Sequence, residues 1–172
     1  DAAFGFYYAE DLQAFQQSGA EIVYFDTIND GELPDVDGLF IGGGFPESYM
    51  ESLEANSAMR KAVQSFIEEG KPVYAECGGL MYLCRSLSWK DKQCKMAGVI
   101  KADVVMEKKP QGRGYVVVEE KGLHPWLNGK APATIAAHEF HYSRLANLSD
   151  EYSFAYDVRR GHGIDGKHDG II

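Results

Sequence analysis

Cys77 lies within the run PVYAECGGLMYL, from Pro72 to Leu83, and its neighbours suit a thiol to nucleophilic chemistry. Val73-Tyr74-Ala75 is short and β-rich. Glu76-Cys77 interrupts it, two glycines follow, and Leu80, Leu83, Cys84 and Leu87 then recur at the i, i+3, i+4, i+7 spacing of a buried helix. The pattern predicts a strand, a sharp turn and a helix, with the thiol on the turn. Ala75 and Gly79 flank Cys77 two positions away on each side, where a strained strand-to-helix turn admits only small residues, by the steric logic of G-x-S-x-G. At the start of a helix, unpaired N–H groups and the macrodipole favour thiolate over thiol, so a lowered Cys77 pKa is expected. The backbone N–H of Gly78 would point where an oxyanion forms. A buried, inert cysteine at the end of a core strand is the plainer alternative, but burial alone does not require small residues at both flanks.

The other cysteines read differently. Cys84 falls on the apolar stripe of the predicted helix and would pack as a small hydrophobe. Cys94, in the polar run WKDKQCK, is expected to be an exposed loop thiol. Three cysteines spaced by seven and ten residues form neither a metal clip nor an even disulfide set, which points to a reducing compartment. Upstream, Gly42-Gly43-Gly44 directly follows the buried run Gly38–Ile41 and could free N–H groups for close approach to a ligand; a flexible turn is the competing reading. Downstream, period two places Glu139 and His141 on one strand face and His138 and Phe140 on the other, so the two histidines do not form a metal pair. Glu139 with His141 is a secondary candidate pair, an exposed polar face being the alternative. The final run RRGHGIDGKHDG is read as a long hairpin connection, and no metal site is expected there.

The chain has 172 residues, 45% of them hydrophobic, which suits one globular domain, residues 1–172, with a full core. A formal charge of −9 without a Lys/Arg cluster argues against nucleic acid and anionic membranes as partners. Nothing resembles a membrane span or a secretory leader, so a cytoplasmic location is expected. In order, the elements expected are a helix over Glu10–Ser18 closed by Gly19, a strand at Glu21–Phe25, the strand before the triple glycine, and a helix capped by Asn56 or Ser57. That helix carries the stripe Met59, Val63, Phe66 and Ile67 and precedes the Cys77 strand. The order describes an α/β fold with a mostly parallel sheet covered by helices on both faces, in which ligands bind at the strands' carboxyl ends. Beyond Ser88 the expectation is added antiparallel strands at Met96–Val105, Gly114–Glu119, Ala133–Ser143 and Tyr152–Val158.

Taken together, GGGFPE at Gly42–Glu47, YAECGGLMYL around Cys77, HEFHYS at His138–Ser143 and the opening DAAFGFYY resemble the glutamine amidotransferase domain of the cobyrinate a,c-diamide synthase family. The resemblance spans nearly the whole chain, with its motifs in order. It implies a flavodoxin-like fold and a class I glutamine amidotransferase, in which Cys77 is the nucleophile that releases ammonia from glutamine. Gly78 and the Gly43-Gly44 turn would hold the oxyanion. It also implies a separate N-terminal synthetase domain of the same polypeptide that uses ATP and Mg2+ to activate corrin carboxylates. No G-x-x-x-x-G-K-[ST] loop occurs here, so no cofactor is expected in this domain. Both ends are expected to be cut, leaving out a first strand and a final strand with the family's histidine; His141 is the nearest substitute. Assembly is open, a homodimer included. Nickel-sirohydrochlorin is an alternative acceptor, and an elbow-cysteine hydrolase or a non-catalytic interaction domain are alternative functions.

Overall fold

The structure is a computed structural model that describes residues 1–123 and 133–172. It divides into two compact units, Asp1–Asp103 and Val104–Ile172.

In the first unit, α1 (Ala9–Gln17) buries none of its residues and ends at Gly19, whose φ of +91° suits glycine alone among residues without strain. β1 (Leu39–Ile41) leads through a 3-10 turn at Pro46–Ser48 into α2 (Met50–Ala55) and α3 (Ser57–Glu68). Asn56 caps α3 as its residue type predicts: its Oδ1 accepts from Met59 N at 3.2 Å, while Nδ2 donates to the Thr27 and Asp30 carbonyls at 3.0 and 2.9 Å. One side chain therefore starts a helix and closes a loop. Met59, Val63 and Phe66 form the buried stripe of α3. At roughly 1.5–3 kcal/mol for each large apolar side chain fully buried, this stripe contributes more than helix propensity does.

β2 (Val73–Ala75) pairs with β1 in parallel, Leu39 opposite Val73 and Ile41 opposite Ala75. A parallel register brings both carboxyl ends to one edge. The triple glycine and Glu76-Cys77 consequently emerge side by side. α4 (Gly78–Leu83) follows, and then β3 (Cys84–Trp89) and β4 (Lys92–Lys95) form an antiparallel hairpin.

Three sequence expectations fail in this unit. Glu21–Phe25 is not a strand, and Val23 and Tyr24 are 47% and 77% exposed. β-branched and aromatic residues make a strand only against a neighbour, and no described strand pairs with these. The helix after Cys77 ends at Leu83 instead of continuing through Leu87, because Leu87 pairs across the hairpin with Cys94 around a turn where Lys90 takes φ +56°. That pairing also overturns the exposed loop expected at Cys94, which lies on β4 and is 4% exposed.

β5 (Ile100–Met106) carries the boundary between the units. In the second unit, β6 (Gly112–Glu120), β7 (Thr134–His141), β9 (Phe154–Arg160) and β10 (His168–Ile171) form an antiparallel sheet in the order β10-β9-β6-β7. A register shift interrupts β6 at Val117/Val118. The expected run Ala133–Ser143 divides into β7 and β8 (Ser143–Ala146). The glycine-rich segment after Arg160 joins the hairpin β9–β10 as expected. The chain is thus mixed α/β, parallel at β1–β2 and antiparallel in its C-terminal half. Among the described residues no helix is long and apolar enough to cross a membrane.

Candidate active site

Cys77 adopts φ 46°, ψ −102°, a conformation costly for a residue with a side chain, on the order of 1–3 kcal/mol, that persists only where its surroundings enforce it. Here the enforcement is visible. Glu76 N donates to Ile41 O at 3.0 Å, Gly79 N to Glu76 O at 2.7 Å and Gly42 O at 3.1 Å, and Met81 N to Cys77 O at 3.1 Å. These bonds fasten the turn to the end of β1 before and after the cysteine. Gly79 is required by contact, because a Cβ there would lie 2.2 Å from Ile41 O. The small residue at this flank, inferred from turn sterics, is thus explained by the neighbouring strand.

The triple glycine is a packed wall of the same site. A Cβ on Gly42 would come within 2.6 Å of Phe6 O, and one on Gly44 within 1.9 Å of Ala3 O. Phe6 N donates to Gly43 O, and Phe45 N to Ala3 O, both at 3.0 Å. These contacts remove the flexible-turn reading. The Cβ position of Gly43 is 3.7 Å from Cys77 Cβ, and that of Gly78 is 2.9 Å from Gly44 N. Cys77, Gly43, Gly44 and Gly78 are therefore brought together. The Gly78 N–H is near enough to the thiol to favour its ionised form, and the Gly44 N–H has no acceptor among the described residues. Exposed Phe6 and Phe45 stack edge to face, centroids 5.2 Å apart, beside Gly43.

The electrostatics correct one expectation. Cys77 meets solvent, yet its pKa lies above the ordinary thiol value of 9.0. Crowding of the thiol by its surroundings is the main cause; the Gly78 N–H pulls the other way, and the Glu47 and Glu76 carboxylates push it further up. A helix of six residues supplies too little at its N-terminus to reverse this. The thiol needs a base to become a nucleophile. Cys84 and Cys94 are sealed away: burial pushes Cys84 up to about 12, its Sγ donating to Leu80 O at 3.3 Å, and burial also raises Cys94.

Glu139 and His141 share a face of β7 in the second unit, as period two requires. Glu139 accepts from His162 N at 2.8 Å and Gly163 N at 2.9 Å, which ties down the β9–β10 connection. Its Oε2 is 3.8 Å from His141 Nε2. His141 Nδ1 is 2.8 Å from Ser143 O, an acceptor, so Nδ1 carries the proton in the neutral ring and Nε2 keeps its lone pair. Among the described residues no group of three His, Cys, Asp or Glu could hold a metal ion.

Sequence reasoning missed two contributors. Asp1 clasps the segment that walls the glycines: Oδ1 accepts from Ala3 N and Phe4 N at 2.8 and 3.1 Å, and Oδ2 from Thr27 N and Oγ1 at 2.7 and 2.5 Å. Its Thr27 partner is 26 residues away, beyond any local pattern. Glu47 was visible as the last residue of GGGFPE, but its electrostatic reach to Cys77 was not.

Proteins with this sequence pattern are known. Over the whole of this chain, cobyrinate a,c-diamide synthases from Magnetococcus marinus, Archaeoglobus fulgidus and Methanosphaera stadtmanae are 46%, 44% and 40% identical. The chain spans only 36–37% of the length of these relatives. A crystal structure of a glutamine amidotransferase superposes with a TM-score of 0.61 over 92% of this chain and 83% of that one; at 15% identity the likeness shows the fold. The sequence model of the CobB/CobQ-like glutamine amidotransferase domain matches residues 1–172 from end to end, and the chain belongs to that family.

Proposed function

We propose that this chain is the glutaminase part of an ATP-dependent amidoligase, in which Cys77 hydrolyses glutamine and the ammonia serves the a,c-diamidation of cobyrinate in cobalamin biosynthesis. The observation that carries the reading is the strained Cys77 turn, with Gly43 and Gly44 packed against Cys77 and Gly78. The Cys77 thiolate attacks the side-chain carboxamide carbon of glutamine, forming a C–S bond, and the carbonyl electrons move onto oxygen. Gly44 N–H and Gly78 N–H hold that oxyanion, while Gly43, lacking a side chain, leaves room beside the sulfur. Collapse of the intermediate expels ammonia once the nitrogen is protonated and leaves a γ-glutamyl thioester. Water then releases glutamate and restores the thiol. Because Cys77 is raised in pKa, a base must take its proton and return it to the departing nitrogen.

Acceptor, ATP and Mg2+ belong to a synthetase domain of the same polypeptide, a reading supported by the names and greater length of the relatives. No G-x-x-x-x-G-K-[ST] motif occurs in this sequence. The test uses the full-length protein with either glutamine or ammonium as nitrogen source. Cys77→Ala should abolish glutamine-dependent diamidation of cobyrinate and spare the ammonium-dependent reaction. Loss of both in a folded variant would refute the division of labour. His141→Ala in the same assay tests the secondary candidate for the proton step.

A further inference from the structure

Of the three glycines that wall the site, Gly43 is the one whose missing side chain is not explained by packing among the described residues. Gly42 and Gly44 are pressed against backbone, where an added Cβ would lie 2.6 Å from Phe6 O and 1.9 Å from Ala3 O. Gly43 is under no such pressure. Its φ lies outside the left-handed region, and a Cβ there would meet Phe6 Cβ at 3.5 Å, Phe6 Cδ2 at 3.6 Å and Cys77 Cβ at 3.7 Å, all ordinary van der Waals distances. Glycine leaves a space there one carbon wide, bounded by Cys77 and the Phe6 ring. The ring is held in place: Phe6 N donates to Gly43 O at 3.0 Å in an isolated bridge, and the ring meets Phe45 edge to face at 5.2 Å. Phe45 is anchored in turn, its N–H donating to Ala3 O at 3.0 Å.

Both rings are more than half exposed, Phe6 at 56% and Phe45 at 55%. Apolar side chains scattered singly over a surface need no explanation, but a stacked pair adjoining a nucleophile does. A space lined by ring carbons and a Cβ, and wide enough for one carbon, suits a methylene group. Glutamine, bound with its carboxamide at Cys77 as proposed above, carries methylene groups one and two bonds from the carbon that the thiolate attacks. We propose that Phe6, backed by Phe45, and the open position at Gly43 form an apolar slot that receives the methylene groups of glutamine and sets the chain length of the amide the site accepts. This inference rests on the glutaminase reading. It adds a reason for rejecting a shorter side-chain amide, whose charged α-substituents would be drawn into the slot.

The experiment measures, in full-length protein, glutamate release and the rate at which two electrophiles label Cys77. One is the diazoketone analogue of glutamine, which keeps both methylene groups; the other is iodoacetamide, which lacks the amino-acid chain. Phe6→Ala should raise the KM for glutamine about tenfold, the size expected for withdrawing apolar cover from two methylenes, and leave kcat nearly unchanged. It should slow diazoketone labelling by a similar factor and leave iodoacetamide labelling as it was. Phe6→Leu, which restores apolar cover, should recover most of the loss and guards against a folding artefact. Gly43→Ala, which fills the slot without meeting backbone, should also raise KM while keeping the wild-type Tm. A wild-type KM in either alanine variant, or equal slowing of both electrophiles by Phe6→Ala, would overturn the slot. So would a Phe6→Ala protein that releases glutamate normally but no longer delivers ammonia to the acceptor, which would make the rings a docking face for another part of the polypeptide. A failure of the glutaminase reading itself would look different: wild-type protein that releases no glutamate.

Discussion

Gly44→Ala puts the geometry of the oxyanion site under direct test. The added Cβ would lie 1.9 Å from Ala3 O, against the 3.0 Å below which real Cβ contacts are essentially never found, so the two segments must separate by at least 1.1 Å. The atom it meets is backbone, and Ala3 is held by the Asp1 carboxylate and by Phe45 N–H, so no flexible side chain can yield. Overpacking of this kind costs about 1–3 kcal/mol of stability, within the roughly 5–15 kcal/mol of an ordinary domain. The fold should therefore survive with a lower Tm. The Gly44 N–H moves with its residue, and a donor displaced by about 1 Å or lost costs on the order of 10²–10³ in rate. The assay is glutamate release by the full-length protein, with Tm and Cys77 alkylation measured in parallel. We expect kcat to fall by about 10²–10³ while Cys77 still alkylates. Gly31→Ala, with no atom within 4 Å of its Cβ, should leave all three readouts unchanged. A Gly44→Ala protein with a lowered Tm and wild-type kcat would refute Gly44 as an oxyanion donor.

Other consequences are equally specific. Iodoacetamide should modify Cys77 alone in the native protein, since Cys84 and Cys94 are buried; peptide mass spectrometry reads the site. The rate should rise about tenfold per pH unit through neutrality with no plateau below pH 9, because the Cys77 pKa is raised; a plateau near pH 7 would mean a stabilised thiolate. Asp169→Asn should raise Tm at pH 7. Burial, with Glu139 and Asp165 nearby, lifts the Asp169 pKa, so the folded state binds its proton more tightly than the unfolded chain and this carboxylate lowers stability once pH exceeds its ordinary value of 3.8. The gain should shrink toward zero as pH falls through that value, and a gain that persists there would contradict the electrostatic cause. Glu139→Ala should free the His162 and Gly163 amides, at about 1.5–3 kcal/mol for each charge-assisted bond, seen as faster hydrogen exchange at those two residues.

What could be read from the sequence was what is local along the chain. The Cys77 turn announces itself because its small residues are contiguous with the thiol, and the Asn56 cap because it lies three residues from the N–H it accepts. The burial of Cys94 is hidden because it depends on the register of a hairpin, Leu87 opposite Cys94, which the surrounding polar run WKDKQCK disguises. Glu21–Phe25 has strand-like residues, and what decides its state is whether a neighbouring strand is present. The direction of the Cys77 pKa is not legible for a related reason: the helix start is contiguous with it, whereas Glu47 arrives from another segment and crowding is set by the fold. The clasp of Asp1 on Thr27 belongs to the same class of long-range contact.

The nucleophile itself can be caught. Full-length protein supplied with isotopically labelled glutamine and quenched in acid during turnover should carry a γ-glutamyl thioester on the peptide containing Cys77, labile to hydroxylamine and absent from Cys77→Ala. Steady glutamate release with no label on that peptide, or label on Cys84 or Cys94, would contradict Cys77 as the residue that opens the amide.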